Sequence, residues 1–528
     1  MKKRQSVLGG SLLLMAAVAC SKLLGACFRI PLTALLGGEG MGYFSSAYGL
    51  FLPVFSLSVT GMNTALAAQT AKLLSQDRTA DAEALRRLSI RLFGWVGAVG
   101  SMLLYAFAEP ICTYFLHNRG SIAAVRCFSP AIFFCCISAA LRGAHEGFQD
   151  MRPTACSEFA EGVVKLFSGL FFCRYVINHD NTVLSFFSHS DSLTQLAAAA
   201  AILGVTCSTV AGLLTLLPFR LPHDSKSTQT QSNRQLLRGL MQLLLPISAA
   251  ALVTNLTAVI DLATGMRGLE AFLRLHPDEI LPRLLPAQNA NFLYGAFSGL
   301  AVTVFSLVPS VTNMLGKGVL PAFANAHAAG DIPAMQTRMQ EALRPTAFLA
   351  IPAGLGIAAL PAPILTLLFS ARPAEVAIAA KPLIFLGFAL IPLALAYPLM
   401  SMLQAADAAP CTVLGMLFGA AVKLFCNLLL IPRLGVIGIA VSTMICDTVI
   451  FLWMLVAFRI RIKISTHLLS VSLPYLFGGT LCALAARYTY FTLLRHIPQT
   501  AALFGAICTG GAIYLAALFL LHKKAADV

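Results

Sequence analysis

The sequence predicts an all-α polytopic membrane protein of about 14 transmembrane helices, built as two parallel six-helix lobes with two C-terminal helices appended. Three observations predict it. Hydrophobic residues fill 58% of the 528 positions and charged residues only 11%, with a mean hydropathy of +0.80, which is more apolar surface than a water-soluble core could hide. Apolar runs recur at the length of about 20 residues that crosses the hydrocarbon as a helix, which indicates a bundle and not a β-barrel. A segment of one half also recurs in the other: Asp150 and Pro153 return as Asp407 and Pro410, and the VKLF of 164–167 returns at 422–425. Aspartate, proline and a lysine-bearing apolar helix in the same order mark a repeat.

In chain order, the apolar runs predict helices near 7–30, 43–72, 88–108, 121–144, 154–176, 194–219 and 236–264. The second seven are expected near 292–322, 344–370, 378–405, 409–431, 434–458, 466–491 and 499–522. Kinks are expected at Pro53, Pro130, Pro246, Pro309, Pro352, Pro361, Pro392 and Pro398, which membrane helices tolerate better than soluble ones. The N-terminus, with its basic start and Ala17-Val18-Ala19-Cys20, mimics a signal peptide. Because the apolar run continues past Cys20, it is expected to be retained as the first spanning helix.

Charge placement fits this count. Of the 37 Lys and Arg, 22 fall at the termini or in the even-to-odd connections, Arg142 and Arg152 among them. The positive-inside rule then puts both termini in the cytoplasm, as an even helix number requires. The polar stretch HDSKSTQTQSNRQ at 223–235 reads as a cytoplasmic linker, giving an N-terminal lobe 1–222, a C-terminal lobe 236–460 and two further helices in 461–528. The repeat lies in the fifth and eleventh helices. An even offset keeps both copies in the same direction across the membrane, so the lobes are parallel repeats.

Composition also excludes function classes. The net charge of +15 comes in short clusters between apolar runs, a topology signal that gives no reason to expect nucleic acid. The 14 cysteines lie almost all in apolar runs, without a CxxC pair or metal-ligand spacing, and are read as small packing residues. No P-loop, GxSxG or HExxH motif occurs, so the expectation is a transporter without cofactor or metal and not an enzyme.

Charges within the membrane are costly and become the candidate site residues. Lys22 and Arg29 are seven apart, two turns, and share one helix face; they either line a central cavity or snorkel to an interface. Glu161 and Lys165 are spaced i,i+4 and are expected to neutralise each other, although Lys423 repeats Lys165 with no comparable glutamate. Asp261 and Arg267 are expected at the end of the seventh helix, where they close a gate, bind substrate or cap the helix.

KLLGACFRIPLTALLGGEGMGYFSSAY, RGAHEGFQDMRPTACSEFAEGVVKL, ALVTNLTAVIDLATGMRGL, LYGAFSGLAVTVFSLVPSV with LPAFANA, and KLFCNLLLIPRLGVIGIAVSTMI follow one another in the chain. In that order they resemble the stage V sporulation protein B family of the multidrug/oligosaccharidyl-lipid/polysaccharide exporter superfamily, over roughly residues 7–460. The resemblance implies alternating access and a polyprenyl-diphosphate-linked sugar as substrate, handled in the bacterial cytoplasmic membrane, with cell-wall synthesis proteins as candidate partners. It carries cavity cations over to Arg29, Lys22 and Arg267, with Asp261 beside them. Lys22 stands where arginine is frequent and Glu146 where glutamine is frequent; lysine lacks the bidentate fork suited to phosphate. The last two helices are expected to form a groove for the lipid tail. An ion-coupled multidrug exporter and a non-transporting scaffold of a wall-synthesis complex are the competing readings.

Overall fold

The computed structural model describes residues 7–179, 192–219, 231–279, 286–406, 408–462, 464 and 468–526. Among them there is no β-strand. Ten helices are long and apolar enough to cross a membrane; the count of fourteen stays an expectation.

The first two expected helices lie along one element. α1 (Val7–Phe55) breaks at Gly37, whose φ of 63° and ψ of −173° fall in a region open to glycine and costly for other residues. Gly37 therefore makes a tight turn between two helical arms. A wide turn, Ser56–Met62, leads into α2 (Asn63–Ser75). Then follow α3 (Thr79–Ala106), α4 (Ile122–Gly147), α5 (Arg152–Asn178), α6 (Leu193–Leu216) and α7 (Asn233–Thr254). The expected seventh helix is divided: α7 stops at Asn255 and α8 (Leu256–Leu275) begins.

The chain forms two compact units, Met1–Met266 and Arg267–Val528. In the first, Leu66 of α2, Leu85 and Phe93 of α3 and Ile132 and Cys136 of α4 share a buried cluster with Leu236, Leu240 and Leu244 of α7. The helix that follows the polar linker thus packs on the first unit, and the packing changes hands only within α8. Residues 223–230 of the linker lie outside the described residues. On α3, Arg87 and Arg91 precede the exposed Trp95, Val99 and Met102, the order of a charged interface followed by a lipid face. Trp453, the second of two tryptophans, donates its Nε1–H to the Cys411 carbonyl at 3.0 Å. In a Trp453→Phe variant in lipid vesicles, brominated acyl chains are expected to quench the remaining Trp95 fluorescence strongly. Emission indifferent to the bromines would place that face away from lipid.

The second unit holds α9 (Pro286–Ala296), α10 (Val302–Ala328), α11 (Ile332–Ala359), α12 (Pro361–Leu368), α13 (Pro373–Ala405), α14 (Ala409–Leu434), α15 (Val436–Ile462), α16 (Leu468–Leu493) and α17 (Gln499–Ala526). Pro153 and Pro410 occupy the first turn of α5 and α14, where a missing N–H costs nothing; Asp407 lies outside the described residues. The repeated skeleton therefore enters its helix in the same way in both units. The last two helices are fastened to α11: the Tyr514 hydroxyl donates to the Phe348 carbonyl at 2.9 Å, and Gly479 faces Ile351 and Leu355. An open apolar groove of about 550 Å3 runs between α13 and α15, lined by Phe388, Pro392, Leu395, Met444, Thr448 and Leu452.

Candidate functional site

In the first unit, the two arms of α1 and the middle of α5 bring two cations to one aromatic ring. The Arg29 guanidinium lies 6.0 Å from the Tyr48 ring centre. The Lys165 ammonium is 5.7 Å from the same ring and 5.8 Å from that of Phe28. These distances lie at the limit of cation–π attraction. Tyr48 is held in place by stacking on Phe44 at 5.7 Å, by the tilted ring of Phe51 and by an edge contact with Phe128. The lysine passes close to Gly25, its Nζ 3.9 Å from where a β-carbon there would stand. Two like charges held near one ring repel each other.

The expected neutralisation of Lys165 by Glu161 is not what the packing selects. Glu161 is ion-paired with Arg142 of α4, and the same Arg142 nitrogen donates to the Ser157 hydroxyl at 2.7 Å. Ser157 in turn donates to the Gly212 carbonyl of α6 at 2.7 Å. Arg142 is 1% exposed; a guanidinium that deep has a stronger claim on a carboxylate than a half-buried lysine, because its uncompensated burial would cost several kcal/mol. Among the described residues Lys165 forms no ion pair. Glu146, also on α4, accepts from Asn63 of α2 at 3.1 Å and from Thr154 of α5 at 2.9 Å. It is a structural acceptor that ties three helices together.

The other predicted residues fall as follows. Lys22 lies on α1, with its side chain outside the described residues. Asp261 and Arg267 do not end a helix: the break at Asn255 moves both into the middle of α8, so the capping reading is corrected. Leu262, next to Asp261, packs 3.5 Å from the β-carbon position of Gly49, which sets the Asp261 turn against α1 one residue from Tyr48. Arg267 is exposed and belongs to the second unit, where Gly268 meets Ile431 of α14. Lys423 is 5% exposed. It shares the buried face of α14 with Gly415, Gly419 and Asn427, and there Gly419 rests on Ile450 and Cys446 of α15. The repeat conserves a lysine position but not its surroundings.

Sequence reasoning missed Tyr48 and Arg142. Nothing local marks Tyr48 as the floor of a cation site, since its partners lie 19 residues before and 117 after it. Arg142 was counted with the cytoplasmic connections, whereas it sits inside α4. The signal was present in its position at the end of an uninterrupted apolar run.

A family profile described as lipid II flippase MurJ matches residues 61–501. Stage V sporulation protein B of Bacillus subtilis (strain 168) is 23% identical over 455 residues, covering 83% of this chain and 81% of that protein. The lipid II flippase MurJ of the same strain is 20% identical over 454 residues, covering 83% and 79%. A solved lipid II flippase MurJ in an inward closed conformation has a TM-score of 0.71 at 16% identity, covering 97% of this chain and 99% of that one. An inward-facing multidrug transporter of the MATE family, in the MOP superfamily, gives 0.66 at 13% identity, covering 84% and 94%. At these identities the two structures speak for the fold alone.

Proposed function

This chain belongs to the lipid II flippase MurJ family, and from that membership we propose that the lipid-linked precursor it flips is a polyprenyl-diphosphate-linked sugar of cell-wall or spore-cortex synthesis, received through its diphosphate at Arg29 and Lys165. The observation that carries this reading is the pair of cations on Tyr48. A diphosphate crossing the bilayer needs fixed positive charge to replace its water, and Arg29 supplies the bidentate fork while Lys165 supplies a point charge. Lys22, Asp261 and Arg267 remain further substrate-contacting candidates, supported by the family resemblance alone. The two parallel lobes, 1–222 and 236–460, belong to the same reading, supported by the matching entry of Pro153 and Pro410 into their helices. The distribution of Lys and Arg supports the cytoplasmic membrane with both termini inside, and cell-wall synthesis proteins are the fitting partners.

The sign of the site weighs against a cation exporter, which would need acids where Arg29 and Lys165 stand. The test is reconstitution in liposomes with fluorescent precursors. Wild-type protein is expected to flip a polyprenyl-diphosphate-linked sugar and to leave a neutral polyprenyl glycoside where it is. Equal transport of both would remove the diphosphate from the argument, and no transport by folded protein would favour the scaffold.

A further inference from the structure

The carboxylate nearest to Lys165 along its own helix is Glu161, one turn earlier, and the fold holds it elsewhere. Three helices meet at that point. Arg142 comes from α4, Ser157 and Glu161 from α5, and Gly212 from α6. Gly212 shapes the arrangement: a β-carbon there would overlap the Glu161 carboxylate and its γ-carbon, so the absence of a side chain gives Glu161 the slot from which it reaches Arg142. The charged groups facing Glu161 are Arg142 from α4 and Glu158 and Lys165 from α5 itself; Gly212 of α6 brings none. Glu161 therefore has two cations within reach and is committed to the buried one.

We propose that Glu161 is a positioning residue for the anion site: seated on Arg142 through the Gly212 slot it leaves the Lys165 ammonium available to a diphosphate, and displaced from that slot it neutralises Lys165 and weakens the site. The proposal rests on the reading of Arg29 and Lys165 as a diphosphate site. Its physical basis is competition for one carboxylate. An anion on Lys165 makes Glu161 less welcome there and so favours the Glu161–Arg142 pair, and by linkage a firmly made pair favours the anion. Occupancy of the site and the packing of α4, α5 and α6 are thereby coupled.

Gly212→Ala is the direct test, because the added methyl collides with a flexible side chain and leaves every formal charge in place. The probe is farnesyl diphosphate, titrated calorimetrically into detergent-purified protein. Gly212→Ala is expected to weaken its binding about tenfold in the wild-type background and less than about twofold when Lys165 is already methionine, the non-additivity of residues that share a partner. A loss of equal size in both backgrounds would overturn the proposal and leave Gly212 a packing residue. Should Gly212→Ala fail to fold, Glu161→Gln decides: removing the competing charge is expected to tighten farnesyl diphosphate about twofold while lowering thermal stability. Affinity falling together with stability would overturn it. If the wild type does not bind farnesyl diphosphate, or Arg29→Ala leaves its affinity unchanged, the site reading fails and the proposal with it. If both controls succeed and only the Lys165 dependence is missing, the proposal alone fails.

Discussion

Arg29→Ala is expected to slow flipping of a polyprenyl-diphosphate-linked sugar about 10-fold to 100-fold, since charge-assisted hydrogen bonds contribute about 1.5–3 kcal/mol each. Lys165→Met is expected to cost less, because a point charge lacks the paired geometry of a guanidinium. The two losses should not add in full: both cations address one anion and one ring, Tyr48, and groups with a shared partner are coupled. Arg29→Lys separates charge from shape. If charge alone matters it keeps most of the rate, and if the bidentate fork matters it falls most of the way towards alanine. The measurement is the initial rate of fluorescent precursor transport in proteoliposomes, with reconstituted protein quantified for each variant. An Arg29→Ala rate within twofold of wild type would remove α1 from the substrate path.

The second large effect concerns stability. Arg142→Met leaves Glu161 in a largely buried slot without its cation and is expected to destabilise the first unit by about 3 kcal/mol, the low end of what breaking a buried pair from one side costs. The double variant Arg142→Met/Glu161→Met should recover most of that loss, because two apolar side chains of similar length avoid the desolvation that the ion pair requires. The melting midpoint in detergent reports both. A single variant as stable as wild type would mean that water reaches Glu161 and the pair is not buried in solution. A double variant as unstable as the single would point to Ser157, left without its Arg142 donor, as the source of the cost.

These two predictions come from residues that were unequally legible in the chain. Arg29 was visible because a cation in an apolar run is expensive and its seven-residue spacing from Lys22 can be counted. The partner of Glu161 is not legible in the chain. Helical spacing offers Lys165 as a neighbour, but spacing along one helix says nothing about which cation the next helix delivers, and burial decides between them. The same limit explains the seventh helix. Its predominantly apolar stretch reads as one helix from 236 to 264, whereas the backbone divides at Asn255 and carries Asp261 and Arg267 into the middle of α8.

Composition by itself determined that this protein lives in a membrane, because a chain so poor in charge has nowhere else to hide its apolar surface. Run length and proline position determined most of the helices, since the bilayer sets one and the missing N–H the other. The ordered motifs pointed to the family. Only the tertiary structure decided what the charges do. A lysine at one repeat position lies against the rings of Phe28 and Tyr48, and its counterpart, Lys423, is buried on the face of α14 that meets α15. Which carboxylate meets which cation depends on helices distant in sequence, where a glycine such as Gly212 leaves room for one pairing.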